Sequence, residues 1–112
     1  MIEAGEYVRT KNGKIDKVIN NNCYMPQYIE CEKSLLYKED IVNHSKDLVD
    51  LIEEGDVIEV HFPVRNTIRK IYVDEYFEDS MILNGIISGN VILKTILTKE
   101  QYMQNCYKID TN

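Results

Sequence analysis

Short segments in which polar and apolar residues alternate, separated by turn residues, run through most of the chain. Residues 6–10 alternate aromatic and β-branched side chains with polar ones, and the pair Asn12-Gly13 then favours a tight turn. Pro63 ends another such segment, because proline cannot donate a hydrogen bond to a sheet. The pattern predicts strands over residues 6–10, 14–19, 28–32, 57–62, 67–76 and 91–97.

Two phrases of the sequence recur in the same order, which predicts two related structural units. Residues 1–8 align with residues 51–58 through a shared Ile-Glu, a glycine and an acidic residue, and residues 36–45 align with residues 97–106. Two matches in one order favour a duplication over chance. The alternative is that Ile-Glu-x-Gly is a common phrase at the start of a strand.

Helical signals occur at two places beside the strands. Ser45 is a suitable cap for a helix over residues 45–54, and Thr98 with Gln101 forms a capping box for a helix over residues 99–106. The sequence therefore predicts two short helices in a chain that is otherwise built from strands.

Together these elements predict a mainly β, β-rich α+β fold of two tandem SH3-like small barrels or half-barrels. The first β unit covers residues 1–46, a connecting helix covers 47–54, and the second β unit covers 55–112 with a longer hairpin and the C-terminal helix. A unit of about 50 residues is small for a core of its own, so we expect the two units to share one.

The charge balance and the cysteines narrow the classes of function. Thirteen Lys and Arg against 19 Asp and Glu give a net charge of −6, which disfavours binding to bulk nucleic acid. No apolar run reaches the roughly 20 residues of a membrane span, and no signal-peptide pattern opens the chain. Cys23, Cys31 and Cys106 include no Cys-x-x-Cys pair, so we expect reduced thiols, no metal site and no cofactor.

Three phrases of the chain, at residues 5–15, 39–46 and 97–102, resemble a group of small proteins of phages and prophages of Gram-positive bacteria. Residues 61–90 have no counterpart in that group. The resemblance implies a phage accessory protein that works in the cytoplasm of the bacterial host. Accessory proteins of this kind include inhibitors of host defence, such as anti-CRISPR proteins, so the resemblance implies a host nuclease or a CRISPR–Cas effector as the partner.

Acidic residues are concentrated in two places, which favours a protein-binding surface and no enzymatic activity. A negative face of this kind can imitate a phosphate backbone and occupy a basic groove on a nuclease. The alternative is a solvated polar face that keeps the protein soluble. The first acidic stretch contains Asp47, Asp50, Glu53, Glu54, Asp56 and Glu59; the second contains Asp74, Glu75, Glu78 and Asp79 beside Tyr72, Tyr76 and Phe77.

Two other functions stay open at this level. The first is an SH3-like nucleic-acid-binding module, because the first hairpin carries Arg9, Lys11, Lys14 and Lys17, and Arg65, Arg69 and Lys70 form a second basic group. The second is a self-assembling protein, such as a homodimer, or one that binds a nucleotide signal. Catalysis has the least support, because no motif in the sequence indicates a pair of nucleophile and base.

Overall fold

The computed structural model describes residues 2–21 and 25–105, and the chain in these ranges is mainly β. The eight strands are Tyr7–Thr10 (β1), Ile15–Asn20 (β2), Tyr28–Cys31 (β3), Leu35–Tyr37 (β4), Ile41–Ser45 (β5), Val57–Phe62 (β6), Thr67–Tyr72 (β7) and Ile92–Leu97 (β8). The α-helices are Met81–Ser88 (α1) and Lys99–Asn105 (α2), and single 3₁₀ turns lie at Lys38–Asp40, Leu48–Leu51 and Phe77–Asp79. The predicted β-rich α+β class is confirmed.

Two open antiparallel sheets organise these strands. The first has the order β4-β3-β2-β1-β5, and the second has the order β7-β6-β8. Within the described ranges the edge strands of neither sheet pair with each other, so neither sheet closes. The prediction of closed small barrels is therefore wrong. In both sheets the first strand of the unit lies between its hairpin partner and the last strand of the unit.

The turn that opens each unit is the same in detail. Gly5 has φ +94° and Gly55 has φ +98°, a region of backbone conformation that glycine adopts most readily. The Gly5 N–H donates to the carbonyl of Val18 at 2.8 Å, and the Gly55 N–H donates to the carbonyl of Val73 at 2.8 Å. The first pair of matching phrases thus marks one turn that occurs twice.

A buried acidic residue follows each of these glycines, and its carboxylate accepts a hydrogen bond from a backbone N–H of the same turn. The Glu6 carboxylate accepts a hydrogen bond from the N–H of Glu3, and the Asp56 carboxylate accepts one from the N–H of Glu53 at 2.8 Å. Both acids are buried. The acidic position in the repeated phrase is therefore a structural requirement of the turn, because the carboxylate satisfies a backbone donor that would otherwise lack a partner.

The second pair of matching phrases does not occupy equivalent places in the fold. Residues 36–45 run from β4 through a 3₁₀ turn into β5, whereas residues 97–105 run from the end of β8 into α2. In the sheets β5 and β8 are equivalent, since each pairs with the first strand of its unit, and this makes Leu97 the counterpart of Ser45. The predicted alignment of these phrases is wrong.

The helix predicted over residues 45–54 is a single 3₁₀ turn at Leu48–Leu51. Ser45 is drawn into β5 by pairing with Tyr7, and the repeated turn begins at Glu53, so the predicted helix loses residues at both of its ends. By contrast, the helix predicted over residues 99–106 is confirmed as α2 as far as Asn105, and residue 106 lies outside the described ranges.

An unpredicted helix, α1, follows the early end of β7. The strand predicted over residues 67–76 ends at Tyr72. Ser80 caps α1 by accepting a hydrogen bond from the N–H of Leu83 at 3.1 Å. Gly85 lies inside this helix at a close approach, where an added Cβ atom would lie 2.5 Å from Val91 Cγ2. The glycine is needed for packing rather than for a turn.

The buried apolar residues form two clusters, one in each unit. In the first unit the cluster consists of Val8, Val18, Ile29 and Cys31. In the second unit it consists of Ile58, Val60, Val73, Phe77 and Val91, over which α1 packs Ile82, Leu83 and Ile86. The prediction that the units share one apolar core is therefore wrong for the described residues, and a different kind of contact connects them.

Candidate functional site

The contact that connects the units is built around Arg9, which is fully buried in β1. Its Nη1 donates to Asp56 Oδ2 at 2.6 Å and to the carbonyl of Leu51 at 2.8 Å. Its Nη2 donates to Asp56 Oδ1 at 2.9 Å and to Glu100 Oε1 at 2.8 Å. Arg9, assigned to a nucleic-acid surface by the sequence, is thus enclosed and cannot reach a ligand in this structure.

Acidic side chains surround the Arg9 guanidinium. Burial opposes its charged form, but the hydrogen bonds to Asp56 and Glu100 outweigh that effect and raise the pKa of Arg9 above its ordinary value. Arg9 Nε lies 3.3 Å from Glu53 Oε2. Glu53 also pairs with Lys99 Nζ at 3.1 Å, and this hydrogen bond raises the pKa of Lys99. The arrangement is an ion-pair network that holds the two units together.

Asp56 also binds the first residue of helix α2. Its Oδ1 accepts the backbone N–H of Lys99 at 2.9 Å, at the first residue of α2. A carboxylate at this end of a helix satisfies a free N–H group and interacts favourably with the helix dipole. Thr98 adds a direct link, because its hydroxyl donates to the carbonyl of Gly13 in the first hairpin at 2.8 Å. Helix α2 is therefore fixed against both units.

The first acidic stretch does not form one negative face. Asp56 is fully buried, and Glu53 is engaged with Arg9 and Lys99. Glu59 is half-buried on β6 and accepts the hydroxyl of Thr95 at 3.0 Å. Of the six acids, three are exposed: Asp47, Asp50, which accepts the Ser45 hydroxyl at 2.6 Å, and Glu54.

The second acidic stretch, by contrast, lies at the surface. Asp74, Glu75, Glu78 and Asp79 are all exposed, and none of them forms an ion pair with another described residue. Phe77, in the middle of the stretch, is buried in the core of the second unit. This anchor holds the carboxylates outward on an ordered segment, so their charge faces the solvent without a neutralising partner.

Two exposed tyrosines accompany these acids. Tyr72, at the end of β7, is 65% exposed, and Tyr76, between the carboxylates, is 69% exposed. The hydrogen bond from Gly55 to Val73 also brings Glu54 of the neighbouring turn alongside this segment. We call this set the acidic tyrosine surface; it consists of Glu54, Tyr72, Asp74, Glu75, Tyr76, Glu78 and Asp79.

The basic residues of the first hairpin are dispersed. Lys11 is exposed and lies 3.7 Å from Asp40, and Lys14 is exposed. Lys17 is half-buried, with its Nζ over the ring of Tyr7 at 5.6 Å from the ring centre. With Arg9 inside the protein, the four predicted residues do not form one basic face.

The pKa values of Tyr28 and Cys31 are both raised. Tyr28 packs on Tyr37 with ring centres 4.3 Å apart, and the hydrogen bond between them raises the pKa of Tyr28. Burial raises the pKa of the Cys31 thiol to about 11, which keeps it protonated at neutral pH. Cys23, Tyr24 and Cys106 lie outside the described ranges.

Two further findings concern ligands and membranes. Over residues 2–21 and 25–105, no group of three or more His, Cys, Asp or Glu side chains is placed to hold a metal ion. In the same ranges no helix has the length and apolar character needed to cross a bilayer.

Comparison of the chain with family models, with curated proteins and with solved structures finds no match.

Proposed function

We propose that the protein is a non-enzymatic binding protein that docks on a basic surface of a partner protein through the acidic tyrosine surface. The observation that carries this proposal is the exposure of four carboxylates in six residues, at 74–79, without an ion-pair partner among the described residues. Charges left free on an ordered segment are available to a partner, whereas those of the Arg9 network are already used.

The two tyrosines add apolar contact area, which the carboxylates do not provide. Tyrosine combines a large apolar ring with a polar hydroxyl, and such side chains contribute strongly to protein interfaces. Tyr72 and Tyr76 are both more than half exposed, beside the acids. Carboxylates that steer a basic partner, together with rings that bury apolar area on contact, support recognition of a protein over non-specific charge attraction.

The resemblance to phage accessory proteins specifies the proposed partner as a host defence nuclease, such as a CRISPR–Cas effector. A groove that holds nucleic acid is basic, and an acidic protein surface can fill it and compete with the nucleic acid. Short strands joined by tight turns support an SH3-like ancestry for the two units, and the turn that recurs at Gly5 and Gly55 agrees with descent from one ancestral piece.

The direct test is to measure binding and inhibition with a panel of purified CRISPR–Cas effectors and restriction nucleases. The variant E75K/E78K reverses two free charges of the acidic tyrosine surface. We expect the wild-type protein to bind one of the enzymes and to inhibit DNA cleavage, and the variant to bind at least tenfold more weakly. Binding should also weaken as salt is raised, since exposed charges are screened.

The matched control is E30K/E32K, which makes the same charge change at two exposed acids of the first unit. It should bind like the wild-type protein. An equal loss in both variants would assign the effect to net charge and contradict the proposed surface. The absence of binding to every enzyme of the panel would contradict the proposed class of partner. Light scattering on the same samples distinguishes a monomer from a homodimer.

A further inference from the structure

The hairpin between β6 and β7 carries a second charged feature, of opposite sign, on the second unit. Residues 60–73 contain no Asp or Glu, although the whole chain has a net charge of −6. Arg65 and Arg69 both lie in this segment and are exposed. Neither guanidinium forms an ion pair or a hydrogen bond with a described residue. Two free arginines on one hairpin form a local positive site.

The two arginines line one pocket. It has a volume of about 330 Å³, opens to the surface and is lined by Phe62, Arg65, Thr67 and Arg69. Thr67 lies directly across the sheet from Phe62, and Arg69 follows two residues later on the same face of β7. The pocket therefore offers two guanidinium groups and one hydroxyl group, beside an aromatic ring.

This set of donors is suited to a phosphate group. A guanidinium donates two parallel hydrogen bonds to a phosphate, and two guanidiniums match the charge of a dianionic monoester. No carboxylate lines the pocket to compete for the arginines. A carboxylate ligand would neutralise one arginine and leave the other without a partner.

A larger, mostly apolar groove begins on the other side of Phe62. It has a volume of about 570 Å³ and runs along α1. Phe62 lines both the groove and the arginine pocket, so the two cavities adjoin. The apolar walls are completed by Met81, Ile82 and Val91, and the polar groups at the rim come from Asn84, Ser88 and Asn90.

We propose that the two cavities form one site for a phosphate ester with an aromatic body, the chemistry of a nucleotide. The phosphate lies between Arg65 and Arg69, and the base lies in the groove beyond Phe62. Amide side chains such as Asn84 and Asn90 both donate and accept hydrogen bonds, as the edge of a base requires. Both volumes lie in or near the range of about 300–1,000 Å³ that is typical of small-molecule sites.

A phosphate ester that carries a base can come from two sources, a free mononucleotide or the end of a single-stranded nucleic acid. The test is to titrate the full chain with AMP, GMP, inorganic phosphate and a ten-nucleotide single-stranded DNA, and to record amide chemical shifts by NMR. We expect the shifts to change at residues 62–69 and 81–91. We expect AMP or GMP to bind at least tenfold more tightly than inorganic phosphate, because the base adds contacts in the groove.

The variant R65Q/R69Q removes both positive charges, and K33Q/K38Q removes two exposed charges from the first unit as a control. We expect R65Q/R69Q to lose at least tenfold in affinity and K33Q/K38Q to bind normally. DNA that binds more than tenfold more tightly than both mononucleotides identifies the nucleic acid as the source, and weaker DNA binding identifies the free nucleotide.

Two results would overturn the proposal. One is the absence of shifts at residues 62–69 with every probe at millimolar concentration. The other is equal binding by R65Q/R69Q and the wild-type protein. Neither result bears on the acidic tyrosine surface, because the two sites share no residue.

Discussion

Arg9 and Asp56, 47 positions apart in the chain, form a bidentate ion pair in which both side chains are fully buried. The pair lies between two separate apolar clusters and connects them. In a buried ion pair, the attraction between the two charges offsets the free energy needed to remove them from water. When one partner is removed, the other charge stays buried without that compensation, and the protein is destabilised.

The variant R9M should therefore be severely destabilised. Methionine is close in length but leaves Asp56 as an uncompensated buried charge, and we expect the free energy of unfolding to fall by about 3–5 kcal/mol. Urea unfolding followed by circular dichroism measures this change. The control is K11M, at an exposed lysine two positions away, which should change stability by less than about 0.5 kcal/mol. Equal effects of the two substitutions would refute a structural role for the network.

The double variant R9M/D56L separates pairing from packing. D56L also removes the acceptor of the Glu53 and Lys99 N–H groups, so it is destabilising by itself. If part of the R9M loss comes from the unpaired Asp56 charge, the double variant should lose less stability than the sum of the two single losses. The unfolding free energies of R9M, D56L and the double variant form the necessary cycle. Strictly additive losses would mean that the two side chains do not act as a pair.

Stability should also depend on the charge of Glu6. The backbone hydrogen bond from Glu3, followed by the hydrogen bond with His44 at 3.0 Å, lowers the pKa of Glu6 below 4.5. The folded state then holds the carboxylate charged at a pH where the unfolded chain binds a proton. The stabilisation is fully present above the unfolded-state pKa and is lost as the pH falls through the folded-state pKa.

The measurement is urea unfolding of the wild-type protein and of E6Q between pH 3 and pH 7. The difference in unfolding free energy should be constant near neutral pH and should shrink below about pH 4.5. A difference that does not change with pH would show that the charge of Glu6 does not contribute.

Cys31 should be slow to react in the folded protein. Burial raises its pKa from 9.0 to about 11, so the thiolate fraction at pH 8 falls by a factor of roughly 100. In a C23S/C106S background, which leaves one thiol, alkylation with iodoacetamide should be at least that much slower in buffer than in urea. The raised pKa also affects stability. Its stabilising contribution to folding is fully present below pH 9 and is lost as the pH rises towards 11, because the unfolded chain ionises first. Equal alkylation rates with and without urea would contradict the buried position.

Two glycines with positive φ test the contact between α2 and the first hairpin. An added Cβ at Gly5 meets no atom within 4 Å, whereas one at Gly13 would overlap the hydroxyl of Thr98 and the side chain of Glu100. G5A should cost about 1–2 kcal/mol from backbone strain alone. G13A should cost more, because it also displaces α2, and thermal unfolding measures the difference. Equal costs would show that the Thr98 contact is dispensable.

The local elements of the fold were largely predictable from the sequence. Alternating residues located most strands, and the capping box at Thr98 located α2. Tertiary contacts outweighed the local signal at Ser45, which pairing with β1 drew into a strand, and the unpredicted helix α1 depends on the packing of Gly85 against Val91. Neither contact leaves a trace in the adjacent sequence.

The candidate site was predictable in one part and not in the other. The acids at 74–79 and the tyrosines Tyr72 and Tyr76 are exposed as expected, whereas Phe77, expected beside them at the surface, is buried in the core. The same clustering near Asp56 hid a buried network, because its cation, Arg9, comes from a distant strand. The pocket lined by Arg65 and Arg69 was not predictable from the sequence, because its volume depends on the position of the Phe62 ring.

The position of α2 has a consequence for synthesis on the ribosome. Glu100, which accepts a hydrogen bond from Arg9 Nη2, is translated about 90 residues after Arg9. The carbonyl of Gly13 likewise waits for the hydroxyl of Thr98. A nascent first sheet therefore carries a buried arginine that lacks part of its acidic partners until α2 has been synthesised.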